Sequence, residues 1–335
     1  MKLHRFFSAG AALFLILGIA AALQAQSPAY RISTPYSHKN LTIFLIHGKN
    51  QTSRTNIITL QEAMERRVLR VYETSDVNEL EVENVSKQFD VFIQSGDIVK
   101  GGKQDRVLAV SIIIPARSGR ILIEAFCVES GRWQKRGNEE VGQFSSSNDR
   151  IVSKELKLAA NASRSQEEVW SKVTEAQKKL SDNVGAPVAS AASATSLQLT
   201  LENGKDAATA DEYVRKLAGL INGKSDVIGY AFAVNGEINS ADVYVSNALF
   251  KKLWPRMLKA AAIEAVSEAG GRTTAVAKPE AVKSFLSEAE DGVAEERAVN
   301  GAVKIVTRDK DDSAVFETRD EKAKVVVHRS YVKKQ

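Results

Sequence analysis

The sequence predicts an α+β fold, with a mixed, largely antiparallel sheet or sheets packed with helices. Strand-like and helix-like runs are mixed along the chain without a regular βαβ alternation, which argues against a doubly wound parallel sheet. Three apolar runs, at 303–308, 314–318 and 324–332, follow one another at the C-terminus with short polar stretches between them, the pattern of an antiparallel meander. The longest helical signal, at 247–268, carries an apolar stripe from Leu249 through Leu253 and Met257 to Val266 that needs a partner surface.

The N-terminal residues read as a leader rather than as fold. Lys2 and Arg5 precede an uncharged run of small and aliphatic residues, and the chain turns polar at Gln24, the order of a secretory signal peptide. Cleavage after Ala25 is expected, with Ala22 as the competing site, and no cysteine follows either position as a lipoprotein would require. The mature protein, residues 26–335, is therefore expected to be exported, periplasmic or extracellular, without a stable membrane span.

Residues 26–40 carry Pro28 and Pro35 and read as extended. Leu41–His47 (LTIFLIH) reads as a strand and 59–67 as a short helix. Strands are expected at 68–73, 80–85 and 90–94. The clearest local signal is the pair RVLAVSIIIP (106–115) and RILIEAFCVE (120–129), separated by four residues ending in Gly119, which reads as a β-hairpin. Helices follow at 149–161 and 166–180, the second introduced by the capping box Ser165-Gln166-Glu167-Glu168. The uncharged stretch GAPVASAASATS (185–196) reads as a flexible internal loop. Beyond it come a helix at 210–220 and strands at 226–234 and 240–245 joined through Asn235-Gly236. Pro255 falls inside the long helical stripe, where a kink or a restart is expected, and Pro279 opens a further helix to Glu290.

Composition narrows the function classes. The 335 residues are 44% apolar and hold one cysteine, Cys127, so the chain can bury a core and cannot build a disulfide framework. Loss of Lys2 and Arg5 would lower a formal net charge of only +5, and the basic clusters are interleaved with acids, so nucleic acid is not an expected partner. No dinucleotide, P-loop, zinc or nucleophile-elbow pattern is present, so neither a cofactor nor a metal is expected. His38, His47 and His328 do not cluster at a spacing that suggests a zinc site.

The candidate site flanks the open end of the expected hairpin. If residues 115 and 120 close it, Arg106 stands opposite Glu129 and Leu108 opposite Cys127, with Gln104 and Arg132 close by. Gln104, Arg106, Glu129, Arg132 and Trp133 are the candidate ligand-binding residues, the arginines for an anionic group and the indole as a stacking face. Glu129 and Asp105 are the candidate general bases if the site is catalytic. The competing structural reading makes Arg106 and Glu129 a cross-strand ion pair that fixes register. Cys127, between Phe126 and Val128, is expected to be a buried apolar residue rather than a nucleophile.

GGKQDR (101–106), CVESGRW (127–133), VNG (234–236) and VVVHRSYV (325–332) resemble the ADP-ribosylglycohydrolase- and rhodanese-phosphatase-associated protein domain family, from about Ile32 to the C-terminus. The chain has Gln104-Asp105-Arg106 where that family commonly has Gln-Asn-Arg. The resemblance implies one α+β domain over the mature chain and, through the neighbours that name the family, a link to NAD or ADP-ribose metabolism. The leading expectation is an exported binding module for a small anionic ligand such as a nucleotide, ADP-ribose or a phosphosugar. The alternatives are a hydrolase of ADP-ribosyl or phosphate esters and a structural envelope-interaction protein.

Overall fold

A computed structural model describes residues 30–74, 76–133, 136, 142–150, 153–202, 204–270 and 276–334. The expected leader at 1–25 lies outside them. The fold is α+β, and its sheets are largely antiparallel. Short strands β1 (Arg31–Ile32) and β2 (Tyr36–His38) lead into β3 (Leu41–His47). Next, β4 (Ile57–Thr59) runs directly into α1 (Leu60–Glu65), with Thr59 and Glu62 forming a reciprocal capping box. An all-β stretch follows: β5 (Leu69–Glu73), β6 (Glu79–Asn84), β7 (Asp90–Ile93), β8 (Asp97–Gly101), β9 (Arg106–Leu108), β10 (Ile112–Ile114), β11 (Arg120–Cys127) and β12 (Phe144–Arg150). Helices α2 (Lys154–Leu158), α3 (Gln166–Val184), α4 (Leu197–Leu201) and α5 (Gly204–Leu217) then precede the hairpin β13 (Val227–Val234) and β14 (Glu237–Tyr244). Last come α6 (Asn247–Ser267), α7 (Pro279–Glu290) and the meander β15 (Val293–Asn300), β16 (Val303–Lys310), β17 (Ser313–Asp320) and β18 (Val325–Lys333).

Three sheets result. The largest has the order β1-β3-β13-β14-β18-β17-β16-β15, with β2 also on β3, so the N- and C-terminal parts of the chain share one sheet. The second is β10-β7-β4, with β4 parallel to β7, and the third is β12-β8-β9-β11-β6-β5. Against the large sheet lies α6, whose Leu249, Phe250, Leu253, Met257, Leu258 and Val266 are all buried in the main core. Each such side chain contributes roughly 1.5–3 kcal/mol relative to an exposed one. On the opposite side of the sheet, Val282, Phe285 and Leu286 of α7 pack with Phe44, Ile46 and Tyr331. No helix of the described residues is long and apolar enough to cross a membrane.

The helix expected at 149–161 starts only at Lys154, because Asp149 and Arg150 end β12. Two further expectations change. The first is the restart at Pro255, because α6 runs through it without interruption. Pro255 and Lys251, whose carbonyl loses its donor, are both exposed, so the missing hydrogen bond falls on the solvent side of the helix. The second is the hairpin of 106–115 with 120–129. Residues 106–108 do pair with β11, but 112–114 leave that sheet and pair with β7, Ile112 opposite Ile93. The segment is apolar enough to be buried in two sheets and switches between them at residues 109–111. The turn before β11 therefore does not set the register. Arg106 stands opposite Cys127 and Leu108 opposite Ala125, a two-residue slip that keeps each side chain on its expected face.

Candidate functional site

The residues singled out in sequence do come together, as a closed network. Gly101, at φ 114°, opens a turn in which its N–H donates to Asp105 Oδ1 at 2.9 Å. A Cβ on Gly101 would lie 2.8 Å from the Gln143 carbonyl oxygen, so the turn has no room for a side chain. Asp105, fully buried, also accepts from Ser196 Oγ at 3.0 Å and from both terminal nitrogens of Arg136 at 2.8 and 3.2 Å. Arg132 grips Glu129 through Nε to Oε1 and Nη2 to Oε2, both at 2.7 Å. Gln104 Nε2 donates to the Glu129 carbonyl at 2.8 Å.

The expected Arg106–Glu129 pair does not form. Arg106, fully buried, donates instead to Glu73 at 3.2 Å, to the Val77 carbonyl at 2.6 Å and to Cys127 Sγ at 2.7 Å. The half-exposed Trp133 ring covers its guanidinium at 5.5 Å, with Lys103 Nζ 5.0 Å from the same ring. Burial would raise the Glu129 carboxyl, but its hydrogen bonds to Arg132 and Ser193 and the charges of Arg132 and Arg136 outweigh it and hold the group below its ordinary value. A carboxylate held this way is a weak base. Burial pushes the Cys127 thiol up to about 11, which makes it an apolar filler rather than a nucleophile.

The loop at 185–196 docks onto this network. Ser196 bonds Asp105, Thr195 Oγ1 donates to the Ser130 carbonyl at 2.7 Å, and Leu197 N–H to the Val128 carbonyl at 3.0 Å. The CVESGRW and GGKQDR stretches thus clasp each other and the loop, with Arg132 on Glu129, Arg136 on Asp105 and Arg106 on Glu73, although the buried Arg106 Nε has no hydrogen-bond partner among the described residues.

A cavity of about 260 Å³ lies elsewhere, beside the point where the predicted hairpin splits. Its lining brings together Ser111 from that break, Asp242 of β14, His328 of β18, Lys157 of α2 and Arg150 of β12. Ser111 Oγ is 2.9 Å from His328 Nδ1, and His328 Nε2 is 2.9 Å from Asp242 Oδ1. The imidazole is stacked on Tyr244 at 4.7 Å and meets the edge of Phe92 at 6.1 Å, which fixes its plane. Ser95 N–H donates to Ser111 Oγ at 3.0 Å. Lys157 is only 7% exposed, and its Nζ donates to Ser240 Oγ at 3.0 Å. No carboxylate of the described residues lies within ion-pair distance of that ammonium. Burial lowers the Lys157 ammonium, opposed by the charges of Asp242 and Glu264. For Asp242, burial is outweighed by Lys157 and His328, and its carboxyl is held well below the usual range.

Two buried polar atoms of this lining, Asp242 Oδ2 and Arg150 Nε, have no hydrogen-bond partner among the described residues. Immediately after α2 the chain forms a π-helical turn, Ala159–Ser163, that brings Asn161 and Ala162 to the cavity. Such turns are rare and recur at functional sites. At the mouth, Arg164 and Arg297 both clamp Glu124, at 2.5 Å and at 2.8 and 3.1 Å. Sequence reasoning missed Ser111, Lys157 and Asp242 and left His328 unassigned, because the four are brought together only by sheet pairing. The available signal was a polar residue in each of two apolar runs, AVSIII and SADVYV.

The architecture and the clasped motifs define an α+β protein with a polar cavity between its sheets. Residues 29–332 match the ARG and Rhodanese-Phosphatase-superfamily-associated Protein domain, ARPP-1, and the chain belongs to that family. No curated protein and no solved structure matches the chain.

Proposed function

We propose that the protein is an exported binding module for a small anionic ligand, received in the cavity beside Lys157. The observation that carries the reading is Lys157 itself: a buried ammonium on the wall of a cavity, donating to the Ser240 hydroxyl and lying 5.7 Å from the Phe232 ring centroid, with no carboxylate of the described residues within ion-pair distance. Burying such a charge is costly unless something pairs with it. Arg150 and His328 line the same space and offer further donors. A volume of about 260 Å³ falls just below the roughly 300–1,000 Å³ of drug-sized pockets, which favours a phosphosugar or small carboxylate over a whole ADP-ribose. The family's name supports a link to ADP-ribose or phosphoryl chemistry by association only. Export rests on the leader at 1–25, and nucleic acid is not a partner on this reading. In this account Gln104, Asp105, Arg106, Glu129, Arg132 and Trp133 support the fold around the loop rather than hold the ligand.

Calorimetric titration with inorganic phosphate, ribose 5-phosphate, ADP-ribose and short dicarboxylates tests this. A hydrogen bond to a charged group contributes about 1.5–3 kcal/mol, so Lys157→Met should weaken binding about 10- to 100-fold. Arg132→Ala should lower the melting temperature and leave affinity unchanged. Absence of binding across the panel, or loss of affinity in Arg132→Ala with retention in Lys157→Met, overturns the assignment.

A further inference from the structure

We infer that the cavity also carries an esterase activity, with Ser111 as nucleophile, His328 as general base and Asp242 holding the imidazole, acting on a small carboxylic ester that bears an anionic group. The inference rests on the anion-binding reading of the same cavity and adds chemistry to it. Hydroxyl, imidazole and carboxylate are linked in series by two 2.9 Å contacts, though they lie at positions 111, 328 and 242. This is the geometry that activates a serine. The tautomer follows from the partners. Asp242 is an ionised acceptor, so Nε2 carries the proton that binds it and Nδ1 is left as the acceptor facing Ser111. One lone pair of Ser111 Oγ is occupied by the Ser95 N–H, which leaves the hydroxyl proton to point at Nδ1. Nδ1 rather than Nε2 faces the nucleophile here, and either ring nitrogen can act as the base.

Cations available to developing negative charge are Lys157 and Arg150, on the wall of the same cavity. In the first step the Ser111 proton passes to His328 Nδ1 as Oγ bonds to the ester carbonyl carbon. The carbon–oxygen bond to the alcohol then breaks, and the alcohol leaves with that proton. Water attacks the acyl-serine, giving one proton to His328, which returns it to Ser111 Oγ as the acid departs. No oxidant or metal enters this sequence.

The full chain is treated with a fluorophosphonate probe and the modified peptide mapped by mass spectrometry, and hydrolysis of mono-4-nitrophenyl succinate is followed in parallel. The expected result is a label on Ser111, with kcat/KM reduced at least about 1,000-fold in Ser111→Ala. Asp242→Asn should lower kcat with KM unchanged and shift the pH profile, which a purely structural carboxylate would not do. Labelling of the wild-type chain decides the question even if a variant fails to fold. No label, or a label on another serine, overturns the esterase. If phosphate or dicarboxylate binding persists without labelling, only the esterase falls; if binding is absent as well, both readings fall.

Discussion

Lys157, Asp242 and Glu264 are buried ionisable side chains, and the charge of Lys157 acts on both carboxyls. Glu264 is the one that titrates near neutrality. Burial pushes its carboxyl up to about 7, against the opposing charge of Lys157 and hydrogen bonds from Asn239 and the Lys154 N–H. A carboxyl near 4.3 in the unfolded chain and near 7 in the fold binds its proton more tightly when folded. Its contribution to stability is therefore complete below about pH 4.3 and is lost as pH rises towards 7. Glu264→Gln keeps an acceptor for both donors and removes the titration. The melting temperature of this variant relative to wild type should rise between pH 5 and pH 8 in thermal scans; an equal difference at both values would sink the assignment. At the same scale, the candidate residues from sequence were legible as a polar cluster. Their partners were not, since Arg106 finds Glu73 and Asp105 finds Ser196 only through sheet and loop packing.

At the scale of elements, periodicity was a good guide wherever burial imposed it. β3 and α7 have the bounds their patterns imply, and Pro279 occupies the first turn of α7 as its fixed φ favours. β12 (FSSSNDR) and β15 (VAEERAVN) were not legible, because neither writes an alternating apolar pattern: the described side chains of β15 are exposed or half-buried, and those that β12 buries most deeply, Ser147, Asp149 and Arg150, are polar. The β13–β14 pair is tighter than its sequence indicates. A Cβ on Gly229 would lie 2.2 Å from the Asp242 carbonyl oxygen and 2.9 Å from Val243 Cα. Gly229→Ala should therefore destabilise at the upper end of the about 1–3 kcal/mol typical of overpacking and push β14 away from β13 at Asp242. Urea denaturation checks this, and an unchanged midpoint would contradict the close approach.

Across the whole molecule, the C-terminal strand is a central one. β18 pairs with β14 on one edge and β17 on the other, and it delivers His328 to the cavity. A chain truncated before Val325 should lose cooperative folding altogether, not only the site, as seen in circular dichroism and in the loss of a sharp thermal transition. A folded truncation product would mean that the strand is an accessory to the sheet.

From the sequence alone followed the α+β class, most of the strands and helices, the family and the buried character of Cys127, because burial on one face writes a period into the residues and a family leaves its motifs. Tertiary structure decided which polar side chains meet. RVLAVSIIIP is apolar throughout and fits a hairpin or a strand shared by two sheets equally well, and only the competing edges of β6 and β7 select the second. That choice opens the chain at Ser111 and sets it against His328, 217 residues away, a proximity that no local pattern could encode.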